Sequence, residues 1–201
     1  MKRFTLSLLL AAAMLAFTTA SHAVRYIVVM NGGNENPATG SPGVGSGLVD
    51  IDTTTHLLQV NIVFSGLTSG TTAAHIHCCT APPGNVGVAT TTPTFPGFPL
   101  GVTSGTYNMI LDMTQATSWN PSFITANGGT PAGAEAALAS GAANGLAYFN
   151  IHTTQFGGGE IRGFLVLQTP SNVPTLSEWT LAAIAGVLMV IAFVTLRRRA
   201  R

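Results

Sequence analysis

Charge is what this chain has least of. Only 7% of its 201 residues are Asp, Glu, Lys or Arg, and Lys2 is the single lysine. Lys2 and Arg3 open the chain, and Arg197, Arg198, Arg199 and Arg201 close it. Between 24 and 170 there remain Arg25 and Arg162 against Glu35, Asp50, Asp52, Asp112, Glu135 and Glu160. A net-negative stretch has no basic footprint for phosphates, which excludes nucleic acid as a partner. Cysteine is equally scarce. The two present, Cys78 and Cys79, are neighbours, so no framework of disulfides joins distant segments. Also missing are a glycine-rich phosphate loop between strand and helix, a Gly-x-Ser-x-Gly turn and any repeat of fixed period. No nucleophile stands near a base and an orienting carboxylate, so serine or cysteine hydrolysis has no support.

The ends carry the long apolar runs. Lys2 and Arg3 precede a run from Leu6 to Phe17, and Ser21-His22-Ala23 places small residues at a cleavage site. That layout predicts a signal peptide over 1–23 and a mature start at Val24. At the other end, Thr180 to Leu196 is uncharged and long enough for a transmembrane helix over 180–196. Trp179 sits where an interfacial aromatic belongs. The arginines at 197, 198, 199 and 201 stay cytoplasmic by the positive-inside rule, leaving the bulk of the chain outside.

Val173-Pro174-Thr175-Leu176-Ser177-Glu178-Trp179, a short apolar helix and a basic end over 197–201 resemble the IPTL-CTERM sorting signal of Gram-negative bacteria. The family motif begins with Ile, where this chain has Val173. The resemblance implies processing by an exosortase-type enzyme and delivery through the inner membrane to the envelope, the cell surface or the outside. The residues 171–201 would then be a sorting tail and the C-terminal helix a transient or permanent anchor.

Residues 24–170 have room for one core. They alternate short apolar runs with Gly, Thr, Asn and Pro. Strands are expected at 24–30, 47–52, 57–64, 73–77, 86–90, 106–112, 146–153 and 160–167. In the third, Leu58, Val60, Ile62 and Phe64 alternate with polar residues, the mark of a half-buried antiparallel strand. Residues 91–100 hold three prolines and cannot be a central strand. They read as a surface loop with aromatics tucked back onto the domain. One short helix is expected near Ala132–Ser140, with Thr130 as N-cap, Pro131 at the first position and Gly141 as stop. The expected fold is all-β, an antiparallel two-sheet sandwich or partly closed barrel.

Three motifs stand in order: Ala74-His75-Ile76-His77, Ala147-Tyr148-Phe149-Asn150-Ile151-His152-Thr153 and Gly159-Glu160-Ile161-Arg162-Gly163. Together they resemble the CHRD domain, named after repeats in chordin and widespread in bacteria. Cys78-Cys79 replaces the usual small residues after the first motif, and Phe149 stands where Val is commoner. The resemblance implies a domain and no agreed reaction.

In a strand, residues i and i+2 share a face. His75 and His77 therefore project together, opposite Ala74, Ile76 and Cys78. A His-x-His pair on a strand suits copper or zinc. Asn150 and His152 share a face, so clustering of the motifs brings His152 to a three-histidine site. Glu160 is placed to orient an imidazole, with Arg162 on the same face. The alternative is that these are polar edge residues with Glu160 and Arg162 paired to each other. His56, beside the turn at 53–55, is expected to be solvated. Cys78 and Cys79 leave three choices: a disulfide between neighbours in a turn before Ala81-Pro82-Pro83-Gly84, a bond between chains, or thiols near the histidines.

Three functions follow in order. The first is a non-enzymatic, surface-displayed or secreted structural or interaction module, whose protein or surface-polymer partner the sequence does not name. The second is a copper- or zinc-binding envelope protein using His75, His77 and His152. The third is a metalloenzyme similar to copper-only superoxide dismutases.

Overall fold

The structure, a computed structural model, describes residues 23–169 and a helix over 178–199. The chain divides into two compact units, residues 1–168 and 169–201. In the first, the strands are β1 (Val24–Asn31), β2 (Val44–Asp52), β3 (Leu57–Ser65), β4 (Thr71–Cys78), β5 (Gly105–Asp112), β6 (Ala147–Thr153), β7 (Ile161–Phe164) and β8 (Val166–Leu167). They form one antiparallel sheet in the order β4-β6-β7-β1-β2-β3-β5, with β8 beside β1. Of the two expected architectures, the two-sheet sandwich is therefore replaced by its alternative. A single ladder runs from β4 to β5 and curls into a half-barrel.

Alternation drives the curl. Tyr26, Val28 and Met30 of β1 and Leu58, Val60, Ile62 and Phe64 of β3 point into one core, which also holds Ile76 of β4 and Leu111 of β5. The two ends of the sheet thus share one core without pairing to each other. Residues 91–100 fill the space between them. Phe95 and Phe98 are buried, and the Phe95 ring lies 5.8 Å from both Tyr107 of β5 and Phe149 of β6. The loop is anchored on β4: the Phe95 N–H donates to the Ala74 carbonyl at 3.1 Å, and the Gly101 N–H to the Thr71 carbonyl at 2.8 Å.

The strand expected over 86–90 is reduced to isolated bridges, His77 with Val88 and Thr90 with Trp119. Its hydrogen bonds explain why. The N–H groups of Ala89 and Thr90 both go to the Ile76 carbonyl, and the Thr90 hydroxyl accepts from the Ile76 N–H. Bonds that converge on one residue cannot propagate a ladder.

Among the described residues of this unit there are two α-helices instead of one. α1 (Pro121–Ala126) is capped by Asn120, and α2 (Pro131–Ala143) by Thr130, whose hydroxyl accepts from the Gly133 N–H at 3.1 Å. α2 runs through Gly141, which is not its stop. A Cβ there would collide with the sulfurs of Cys78 and Cys79, so this glycine serves close packing.

In the second unit, α3 (Glu178–Arg199) forms a helix over the stretch expected to span a membrane. Its last turn carries Arg197, Arg198 and Arg199. Among the described residues, no helix is long and apolar enough to cross a membrane. The signal peptide expected at 1–23, apart from Ala23, and the sorting motif expected at 173–179, apart from Glu178 and Trp179, lie outside the described residues.

Candidate metal centre

β4 and β6 differ from the other long strands in being buried on both faces. Their inner residues, Ala74, Ile76, Cys78, Ala147, Phe149 and Ile151, belong to the core. Their outer residues are His75, His77, Tyr148, Asn150 and His152, all at most 9% exposed. Register lines them up: His75 faces Asn150, which faces Arg162 of β7, and His77 faces Tyr148. His152 stands opposite Ala73. The alternation read from the sequence therefore places His75, His77 and His152 on one face of two paired strands.

Each ring is fixed by a backbone carbonyl from a different loop. His75 Nε2 donates to Pro93 O (2.6 Å), His77 Nδ1 to Val86 O (2.8 Å) and His152 Nδ1 to Gly157 O (3.0 Å). A carbonyl can only accept, so each of these nitrogens carries the hydrogen and the other ring nitrogen keeps its lone pair. His75 Nδ1, His77 Nε2 and His152 Nε2 are buried with no partner. The three side chains offer ligand atoms that all lie within 4.8 Å of one another.

Burial also settles the protonation. It lowers His75 and His77 to about 4, against the upward pull of their carbonyl bonds, and it lowers His152 as well. All three are neutral at pH 7, the form that can donate a lone pair.

The buried unpartnered side-chain atoms among the described residues number five, and the other two are Asn150 Oδ1 and Glu35 Oε1. Both flank Gly159, where an added Cβ would crowd Glu35 Oε1 and the Asn150 amide. All five therefore gather around the outer face of β4, β6 and β7. Burial raises the Glu35 carboxyl to about 7, partly offset by the Arg162 charge.

Arg162 is fully buried and holds two loops against this face. It donates to Asn34 O (2.6 Å), Pro83 O (2.8 Å), Gly84 O (3.1 Å) and Asn85 Oδ1 (2.7 Å). Its guanidinium lies 4.7 Å over Tyr148, whose ring stacks on His77 at 4.8 Å. Its nearest carboxylate is Glu35, at 3.7 Å. Glu160 is neither its partner nor a guide for an imidazole, contrary to both expectations. The Glu160 carboxylate accepts from Ser41 Oγ (2.6 Å), Thr68 N (2.6 Å), Thr68 Oγ1 (3.0 Å) and Thr153 Oγ1 (2.6 Å). Burial pushes this carboxyl up, but those bonds outweigh it and hold it below the usual range.

His56 is half-exposed but not merely solvated, since its Nδ1 lies 2.8 Å from Glu135 on α2, away from the triad. Cys78 and Cys79 form a disulfide with each other. Cys78 points to the core, opposite the histidines, so thiols beside the imidazoles are replaced by a ring below them. Sequence reasoning missed the three carbonyl anchors, which have no residue signature. Tyr148 and Asn150 were within reach, since alternation puts both on the face of His152.

Comparison with protein-family models matches one family, the CHRD domain, over residues 26–165. No curated protein and no solved structure matches the chain. The matched stretch contains β2 to β7, all of β1 but its first two residues and all three motifs, and the chain belongs to the CHRD domain family.

Proposed function

We propose that this CHRD domain is a metal-binding module that holds one zinc or copper ion through His75, His77 and His152. One observation carries the reading: three buried histidines offer ligand atoms within 4.8 Å of one another, and each ring has one nitrogen tied to a carbonyl and the other buried without a partner. Bonds of about 2.0–2.1 Å to one ion put three nitrogens roughly 3.3–3.6 Å apart. With ligand atoms spread over as much as 4.8 Å, the site must draw in by up to about 1.5 Å to close on such an ion. Imidazole donors suit zinc and copper better than calcium or magnesium, which take oxygen. The hydrogen-bonded far nitrogens are the support that metal-bound imidazoles ordinarily have. Among the described residues, no carboxylate joins the three rings.

The sequence features at both ends and the Cys78–Cys79 disulfide support an exported module working in an oxidising compartment. Intact mass of the envelope form, with residues 1–23 absent, tests export.

Elemental analysis of protein purified without added metal, followed by thermal melts with zinc and with copper, tests the centre. At a free ion concentration 100 times Kd the melt should gain about 2.7 kcal/mol. His77→Ala and His152→Ala should abolish the gain, whereas His56→Ala should keep it. If neither ion moves the wild-type midpoint, the chain is a plain β module.

A further inference from the structure

The disulfide lies beside the loop that serves the centre. Thr80 follows it directly, and residues 80–88 carry Val86 O, which anchors His77. The same loop supplies Pro83 O, Gly84 O and Asn85 Oδ1 to Arg162, and Val86 exchanges bonds with the Tyr148 hydroxyl. One short segment thus fixes both His77 and the Arg162–Tyr148 stack behind it, and it starts at the ring.

The ring is also reachable. Cys79 is exposed, and both cysteines line an open cleft of about 310 Å³ with Val88, Asn120, Ser122 and Phe123. On the other side, α2 leaves a notch at Gly141, into which both sulfurs fit. The Ala137 carbonyl oxygen stands 3.9 Å from Cys78 Sγ and 3.6 Å from Cys79 Sγ. A disulfide has no hydrogen to give that oxygen, but a thiol does. The notch therefore suits the dithiol as well as the disulfide.

We propose that Cys78–Cys79 is a thiol–disulfide exchange site for small dithiols, and that opening it loosens the hold of residues 80–88 on His77. The exchange stands on its own, and its effect on metal affinity rests on the metal reading above. A thiolate of the dithiol attacks the exposed Cys79 Sγ, forming a mixed disulfide and expelling Cys78 as thiolate. The second thiolate of the dithiol then attacks its own sulfur in that mixed disulfide and expels the Cys79 thiolate. Two electrons pass to the protein, the dithiol leaves as a cyclic disulfide, and solvent protonates the cysteines. With the ring open, the backbone at residues 78–79 regains freedom worth about a tenfold change in the closed population of the loop.

The full chain is compared in three forms: oxidised, reduced with dithiothreitol and desalted without oxygen, and the double variant Cys78→Ser with Cys79→Ser. In metal-free protein, reduction should release two thiols per chain and speed hydrogen exchange at Gly84 and Val86 about tenfold, leaving Val60 in β3 unchanged. Zinc affinity by chelator competition should fall about tenfold in the reduced form and in the double variant. No thiol released under native conditions overturns the exchange. Thiols released with Gly84 and Val86 exchange altered less than twofold overturn the loosening, and this arm needs no metal. Normal loosening in a protein that never binds zinc or copper refutes the metal reading while upholding this one. Loosening with an unchanged zinc affinity overturns the coupling.

Discussion

Glu160 and Arg162 stand two positions apart, and their chemistry diverges because each meets a different set of partners. Glu160 collects hydrogen bonds from Ser41, Thr68 and Thr153 and so ties three loops and a strand together. Glu160→Ala should cost about 2–5 kcal/mol, because it leaves the Thr68 N–H and three hydroxyls without their charged acceptor. Metal affinity should not move, since no imidazole touches this carboxylate. Urea titration alongside chelator competition checks both halves, and a loss of affinity equal to that of His77→Ala would restore Glu160 to the metal site. The histidines themselves were legible in the sequence, because a period of two assigns His75, His77 and His152 to faces without any coordinates. What holds them was not. Pro93, Val86 and Gly157 act through carbonyl oxygens, which every residue possesses, and only the folded loops bring those oxygens to the rings. The same gap explains the misreading of Glu160: a carboxylate near histidines suggests a hydrogen bond to them, but three nearer hydroxyls compete for it.

At the level of elements, the strands with clean alternation were predictable and the segments shaped by packing were not. β3 was read almost to its ends, and the prolines of 91–100 correctly ruled out a strand. The 86–90 stretch has strand-forming residues, yet it crosses β4 at Ile76 instead of running beside it. α2 shows the same contest in a helix. Thr130 and Pro131 announced its start, but Gly141 announced a stop that does not occur, because its missing side chain makes room for the disulfide. Helix propensity alone predicts that Gly141→Ala stabilises the protein by about 0.5–1 kcal/mol. The notch predicts the reverse. A methyl group driven into two sulfurs should cost about 1–3 kcal/mol net, read as a lower urea midpoint at unchanged slope. Gly87→Ala, where an added Cβ meets nothing within 4 Å, is the control. A stabilised Gly141→Ala protein would show that the glycine is a relic of sequence and not a seat for the ring.

For the molecule as a whole, the buried polar face should write itself into the dependence of stability on pH. His75 and His77 are held near 4 in the fold, against about 6.5 in an unfolded chain. Between those values the unfolded chain binds more protons, so stability is lost as the pH falls from about 6.5 to about 4, on the order of 3 kcal/mol for each ring. His152 adds to the same trend, since burial lowers it too. Glu35 works in the opposite sense. Its carboxyl is held near 7 in the fold, so folding takes up a proton between about 7 and 4.5, and stability rises there by a similar amount. One carboxyl therefore offsets about one ring, leaving a net loss on acidification. In the metal-free domain, urea titrations from pH 7.5 to 4 should show a decline on the order of 3 kcal/mol or more. Glu35→Gln removes the opposing carboxyl and should steepen that decline. With zinc present the curve should start higher at pH 7.5 and converge with the metal-free one near pH 4, where protons take the lone pairs the ion needs. A metal-free profile that is flat across this range would mean that the three imidazoles titrate freely, and the buried neutral face, with or without an ion, would have to be given up.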